Sequence, residues 1–221
     1  TPLWEPGCTY TLTPFQIVNK GNLALKYKIV VTGLEGDTGL LKVIKFTYKT
    51  GEETFDMNTE GHLTANGGAS KVITVYAHMA GEEGAAFTIK GHMQESAGND
   101  YMNKSIDGIA ITVVAAQDTV ESDSFNNTYD ANATYPVVNV TELKEALTNG
   151  GVVNVATDIR TNNSEDTAAA RIVISQPTTL NLEKKIITPD NMGNNNTNFC
   201  ALIVDSDTTI NAVENGGIYT G

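Results

Sequence analysis

Short runs in which apolar and polar residues alternate recur along the first half of the chain, and this period of two most constrains its fold. The runs cover residues 23–31 (LALKYKIVV), 40–50, 71–79 (KVITVYAHM), 85–93 and 106–116. Alternation places successive side chains on opposite faces of a strand. Turns rich in glycine and asparagine, such as TANGGAS and ESAGND, separate the runs. Many short strands at this spacing predict an all-β fold, either a sandwich or a barrel.

A different pattern occupies residues 137–221. The segment TELKEAL predicts a short helix over 142–148, with Thr141 as its N-cap and two glycines after it. Short apolar runs then recur about every 8 to 20 residues, with asparagine and aspartate between them, as stacked coils require. The last coil is unfinished at Gly221, which predicts an exposed stacking face.

Residues 117–136 lie between the two patterns and contain four acidic residues but no lysine or arginine. They also contain few strong strand formers. We therefore expect an acidic linker at 117–136, between a sandwich domain at 1–116 and a second domain at 137–221. Cys8 and Cys200 are too few for a disulfide framework and are expected to be thiols.

The charge and the hydropathy exclude two classes of partner. The formal net charge is −12, so the chain has no surplus of lysine and arginine with which to neutralise the phosphates of a nucleic acid. No run reaches the roughly eighteen apolar residues of a spanning helix, so no membrane span is expected. A hydrophobic content of 40% is too high for a disordered chain and predicts a folded protein.

Three segments carry a resemblance in the first part of the chain. They are W-x-P-G from Trp4, F-x-I-x-N-x-G-N-L-x-L-K-Y over 15–27, and MQESAGNDYMNKSIDGIAITVVAAQDTVESDSF over 93–125. Through them, residues 1–135 resemble the TasA and camelysin family of secreted bacterial surface proteins. The resemblance implies a jelly-roll β-sandwich, an extracellular location at the cell surface, and a place in surface or biofilm fibres. In that family a fibre grows when a terminal strand of one subunit completes the sheet of its neighbour.

The second part of the chain carries another resemblance. The order TELKEAL, GGVVNVATDI and RIVISQPTTLNLEKKIIT is similar to the capping helix, first coil and second coil of a right-handed parallel β-helix of the pectate-lyase-like kind. This resemblance implies that residues 137–221 are the N-terminal coils of such a helix.

The histidines do not form a metal motif in the sequence. His62, His78 and His92 are far apart, and the zinc-peptidase motif H-E-x-x-H does not occur. Camelysins have been classed as metallopeptidases, so this absence bears directly on the resemblance. We expect no zinc, no metal site and no cofactor.

The residues that a β-helix lyase needs are also scarce. Such an enzyme uses clustered aspartates for calcium and an arginine as base. The two arginines here are Arg160 and Arg171, and Asp205 and Asp207 are expected to flank a coil corner. The glycine-rich segment GLEGDTG lacks the lysine of a phosphate-binding loop and is expected to be a turn. We therefore predict no catalytic residue.

These observations predict a non-enzymatic, secreted, cell-surface structural protein. It would form a fibre or matrix, or act in adhesion, and would associate with itself by β-strand addition or with other matrix proteins. Two alternatives stay open: a carbohydrate-binding or polysaccharide-cleaving β-helix module, and a camelysin-like metallopeptidase.

Overall fold

The computed structural model describes residues 9–33, 35, 36, 44–79, 106, 107, 110–118, 133–161, 170–190, 192 and 200–221. Contacts divide the chain into unit 1, Thr1–Ala133, and unit 2, Thr134–Gly221. Both units are built from strands, and the described residues include one helix, so the fold is mostly β as predicted.

Unit 1 is antiparallel throughout its described strands. These are β1 (Thr9–Thr11), β2 (Leu25–Thr32), β3 (Glu35–Gly36), β4 (Ile44–Thr50), β5 (Glu53–Asp56), β6 (Glu60–Leu63), β7 (Ile73–Met79), β8 (Ile106–Asp107) and β9 (Ala110–Gln117). They pair in the orders β1-β7-β4-β5, β6-β2-β9 and β3-β8. Four of the five alternating runs coincide with β2, β4, β7 and β8–β9, while the run at 85–93 lies outside the described residues.

The two larger sheets of unit 1 share one hydrophobic core. One sheet contributes Tyr27, Ile29 and Leu63, and the other contributes Tyr48, Ile73 and Val75. Alternation along β2 explains this placement, since Tyr27 and Ile29 are two residues apart and lie on one face. The first two residues of the predicted linker at 117–136 belong to the folded part of unit 1. Gln117 is the last residue of β9, and Asp118 is buried.

A buried asparagine joins two turns at one end of unit 1. The Asn19 amide Nδ2 donates to Leu23 O at 2.7 Å and to Thr64 O at 3.0 Å, while its Oδ1 accepts from Gly21 N at 2.9 Å. The backbone N–H of Asn19 donates to Gly68 O at 2.8 Å. Position 68 has no room for a side chain, since a Cβ on Gly68 would overlap Thr64. Asn19 therefore satisfies polar groups of both turns while being 3% exposed.

The buried tyrosines predict how stability depends on pH. Burial raises the pKa of Tyr27. Burial also raises the pKa of Tyr48, and the charge of the nearby Tyr27 raises it further, while a hydrogen bond with Thr59 lowers it. The folded state then keeps both phenols neutral when the unfolded chain begins to ionise near pH 10. Their contribution is fully present below pH 10, so we expect the free energy of unfolding to fall as the pH rises above about 10.

Urea unfolding at a series of pH values from 8 to 11, followed by circular dichroism, measures this dependence. The double variant Tyr27→Phe, Tyr48→Phe should lose less stability above pH 10 than the parent chain. Tyr219→Phe, at an exposed tyrosine in unit 2, is the control and should keep the parent's pH dependence. Equal pH profiles for the parent and the double variant would contradict the assignment.

Unit 2 contains helix α1 and eight described strands. The helix spans Val140–Asn149, and the strands are β10 (Gly151–Val155), β11 (Ile159–Arg160), β12 (Ile172–Ile174), β13 (Thr178–Leu182), β14 (Lys185–Thr188), β15 (Leu202–Val204), β16 (Thr208–Ala212) and β17 (Gly217–Thr220). All are paired in parallel, in the orders β10-β13-β16, β11-β14-β17 and β12-β15.

The helix starts earlier than predicted, and its N-cap is Asn139 rather than Thr141. The Asn139 Oδ1 accepts from the Glu142 N–H at 2.9 Å, and the Glu142 Oε2 accepts from the Val138 N–H at 3.1 Å. These reciprocal bonds resemble a capping box, which places the cap three residues before the glutamate. Thr141 was the wrong choice, because the residue three positions after it is Lys144, whereas Asn139 has Glu142 at that position. Gly150, with φ 75°, ends the helix as predicted.

The three parallel sheets share one core, which is covered on one side by the helix. Leu143 and Leu147 of α1 are fully buried and pack in the cluster that contains Leu180 and Ile186. Successive passes of the chain align in register, so that Val153, Leu180 and Ile210 are adjacent in neighbouring strands.

Asparagines follow the same register on the outward face of this sheet. The Asn181 Nδ2 donates to the Asn154 Oδ1 at 2.8 Å, and the Asn211 Nδ2 donates to the Asn181 Oδ1 at 2.9 Å. Each amide thus repeats the bond of the one before it, at sequence separations of 27 and 30 residues. The asparagine ladder fixes the register of three strands, because a slip of one residue would turn the amides to the other face.

Candidate functional site

Three side chains from two separate parts of unit 1 meet at one end of the β6-β2-β9 sheet. Glu60 and His62 are two residues apart on β6 and therefore lie on the same face. Asp118 follows the last residue of β9, and its N–H donates to Ala24 O at 2.9 Å, which fixes the backbone there. We refer to Glu60, His62 and Asp118 as the His62 cluster.

The distances within the His62 cluster distinguish the two ring nitrogens. The Nδ1 of His62 is 2.6 Å from the Asp118 Oδ2, whereas its Nε2 is 3.6 Å from the Glu60 Oε1. The Asp118 carboxylate is buried, with 9% of its side chain exposed, while the side chains of His62 and Glu60 are 58% and 42% exposed. A buried carboxylate thus holds the inner side of the ring and leaves the outer side in contact with solvent.

The strand beneath the cluster supplies both its packing and its positive charges. Gly61 lies opposite Tyr27, and its lack of a Cβ leaves space for the Tyr27 ring on the core face. On the other face, Lys26 lies opposite His62 and Lys28 lies opposite Glu60, and both lysines are half-buried. The His62 cluster therefore has two carboxylates and one imidazole, and two cationic side chains lie beside it.

The sequence separates the residues that the fold brings together. The isolated position of His62 predicted no site, but Asp118 lies 56 residues further along the chain and reaches the ring. The alternation of Glu60 and His62 along one strand was a visible signal, although the strand itself was not predicted. His78 lies on β7 in the other sheet, opposite Lys45, and His92 lies outside the described residues.

The candidate residues of unit 2 lie on several of its elements. Asp205 and Asp207 are exposed and flank the corner between β15 and β16, at the position that was expected. Arg160 lies on β11 and Arg171 directly precedes β12. Among the described residues, no group of three or more histidine, cysteine, aspartate or glutamate side chains is placed to hold a metal ion.

The outer edge of β9 is a second candidate functional feature. Its sequence, AITVVAAQ, contains no charged residue and no proline. β9 pairs with β2 on one side, and no described strand pairs with its other side. The Asp118 N–H points toward β2, so the alternating backbone directs the N–H groups of Val113 and Ala115 toward the outer edge.

Comparisons with protein-family models, with curated proteins and with solved structures find no match to this chain. The described helix is too short and too polar to cross a membrane. The His62 cluster, the β9 edge and the resemblances in the sequence are therefore the features that bear on function.

Proposed function

We propose that this chain is an extracellular structural protein of a cell surface or matrix, and that it associates with itself by β-strand addition. The β9 edge carries the proposal. An edge strand exposes a row of N–H and C=O groups that can pair with a strand from another chain. Proteins that avoid such pairing place charges or proline on their edges, and β9 has neither.

The surface of the edge also suits a neighbouring strand. Val113 of β9 is 37% exposed, and Ala110 and Ala115 of the same strand are also exposed. An added strand would cover this side chain while pairing with the outward backbone groups. Main-chain bonds would then supply affinity, and the apolar side chains would supply specificity.

The proposal includes a specific architecture for each unit. A jelly roll for unit 1 is supported by two antiparallel sheets around one core and by the resemblance to surface-fibre proteins. A right-handed parallel β-helix for unit 2 is supported by three parallel sheets in register and by a helix packed on their core.

Blocking the edge should block assembly. We expect the parent chain to form oligomers whose mass, measured by light scattering, rises with protein concentration. Val113→Lys places a charge on the edge strand and should shift the chain to monomer at the same concentrations.

Val72→Lys is the matched control, because it adds the same charge at an exposed valine that lies outside the strands. It should assemble as the parent does. A parent chain that stays monomeric at every concentration would contradict the proposed function, and assembly of Val113→Lys equal to that of Val72→Lys would remove β9 as the edge.

A further inference from the structure

The tripeptide Asn-Gly-Gly occurs three times in the chain, at residues 66–68, 149–151 and 215–217. An asparagine followed by glycine is prone to deamidation, because glycine has no side chain to hinder the reaction. The glycine nitrogen loses its proton and bonds to the asparagine Cγ, while the Cγ–Nδ2 bond breaks and Nδ2 leaves as ammonia. Water then opens the resulting succinimide to aspartate or to isoaspartate. All three asparagines are exposed, so water can reach each of them.

A hydrogen bond from the glycine N–H restrains the attacking nitrogen at each site. The bonds run from Gly67 N to Asn19 O at 2.7 Å, from Gly150 N to Ala146 O at 2.9 Å, and from Gly216 N to Val213 O at 2.9 Å. A nitrogen whose hydrogen is held by a carbonyl can attack only after that bond opens. The three sites therefore differ in how easily their surroundings open.

The first two sites are tied to buried structure. Asn19, the acceptor for Gly67, is 3% exposed, and the Asn66 N–H donates to Gly21 O at 2.8 Å in the same pair of turns. The Gly150 bond belongs to the last turn of α1, where Leu147 is fully buried. Opening either site requires a turn or a helix end to separate from buried neighbours.

The third site is held less firmly. Val213, the acceptor for Gly216, is 57% exposed. The corner at 213–216 is tied to the preceding pass by bonds from Val213 N to Leu182 O at 3.2 Å and from Gly217 N to Lys184 O at 3.4 Å. Both are longer than the common N–H···O distance of about 2.9–3.0 Å. Exposed backbone bonds and few buried contacts mark segments that open locally.

We propose that Asn215 is a deamidation site, whereas the fold protects Asn66 and Asn149 from the same reaction. Isoaspartate would add one carbon to the main chain at the corner between β16 and β17. Gly216 has little freedom to adjust, because a Cβ there would already overlap the Leu182 carbonyl. The longer corner therefore disturbs the parallel pairing of β17 with β14.

Incubation of the purified full chain at pH 8.5, followed by peptide mapping with mass spectrometry, measures isoaspartate at each site. We expect Asn215 to react at least about tenfold faster than Asn66 and Asn149 in the folded chain. The same measurement in concentrated guanidinium chloride is the matched control, since all three sites then present one tripeptide in an unfolded chain and should react at similar rates. Equal rates at the three sites of the folded chain, or a faster reaction at Asn66 or Asn149, would overturn the proposal.

Amide exchange measured by NMR tests the cause of the selectivity. The Gly216 N–H should exchange with deuterium faster than those of Gly67 and Gly150, because its bond opens more often. Exchange at Gly216 that is as slow as at the other two glycines would overturn the proposed cause.

Two variants test the consequence for β17. After the same incubation the parent should lose exchange protection in β17 and keep it in β10. Asn215→Gly removes the reacting amide and tolerates the φ of 70° at this position, so β17 should stay protected. Asn66→Gly, at an asparagine with φ 56°, is the matched control and should lose protection as the parent does. Equal losses in Asn215→Gly and the parent would overturn the proposal. These measurements are independent of assembly, so they can fail while the proposed function holds.

Discussion

Leu180→Ala is expected to lower the free energy of unfolding by about 2–5 kcal/mol. Leu180 is fully buried in β13, the middle strand of its parallel sheet, with Val153 and Ile210 beside it in the register. Shortening this side chain removes apolar contacts with both neighbouring strands and leaves a cavity. Parallel pairing on both sides hinders the strand from shifting to fill that cavity, which favours the upper part of the range.

Thr179→Ala is the matched control for Leu180→Ala. Thr179 is the preceding residue of the same strand and lies on the outward face of the sheet. Chemical denaturation followed by circular dichroism should show a change within about 0.5–1 kcal/mol for this variant. Hydrogen exchange of the β13 amides locates the effect of Leu180→Ala in unit 2. Similar losses for the two variants would show that Leu180 is not a central core residue.

Asn19→Ala is expected to lower the free energy of unfolding by about 2–4 kcal/mol. The substitution leaves the carbonyls of Leu23 and Thr64 and the N–H of Gly21 without the partner that the amide supplies. A buried polar group that loses its partner costs about 1–3 kcal/mol. The total is smaller than the sum of three such costs, because turns at the end of a sheet admit some water.

The neighbouring Asn22 offers the control for Asn19→Ala. Asn22 is exposed in the same turn, so Asn22→Ala should change the free energy of unfolding by no more than about 0.5 kcal/mol. Urea denaturation of the parent and both variants makes the comparison. Equal stability of Asn19→Ala and Asn22→Ala would mean that water replaces the amide at no cost.

Periodicity predicted the strands that bury one face, and the reason is visible at Tyr27 and Ile29. Their spacing of two matches the burial of one side of β2. The same reasoning missed β5 and β6, because ETFD and EGHL are short and polar and their pairing comes from the neighbouring strands. It also chose Thr141 as the helix cap from its residue type alone, whereas the glutamate three residues after Asn139 marks Asn139 as the cap.

The His62 cluster could not be predicted from the sequence for a different reason. Glu60 and His62 become neighbours once β6 is a strand, and their spacing in the chain allows that inference. Asp118 reaches His62 because β6 and β9 lie on either side of β2, an order that depends on long-range pairing. A carboxylate that is distant in the chain has no local signature, so the most specific part of the cluster required the structure.

The register of unit 2 has a consequence for how such a chain changes in evolution. Each pass pairs in parallel with the passes beside it, and the middle asparagine of the ladder, Asn181, donates to one neighbouring strand and accepts from the other. Duplicating a gene segment that encodes one pass would add a rung that matches both neighbours and leaves the other rungs unchanged. Unit 1 cannot lengthen in this way. In the order β1-β7-β4-β5, β7 pairs with β1 and with β4, which are both distant from it in the chain, so an added strand would need new partners. Unit 2 can therefore lengthen by whole repeats, whereas unit 1 can vary chiefly in its connecting loops.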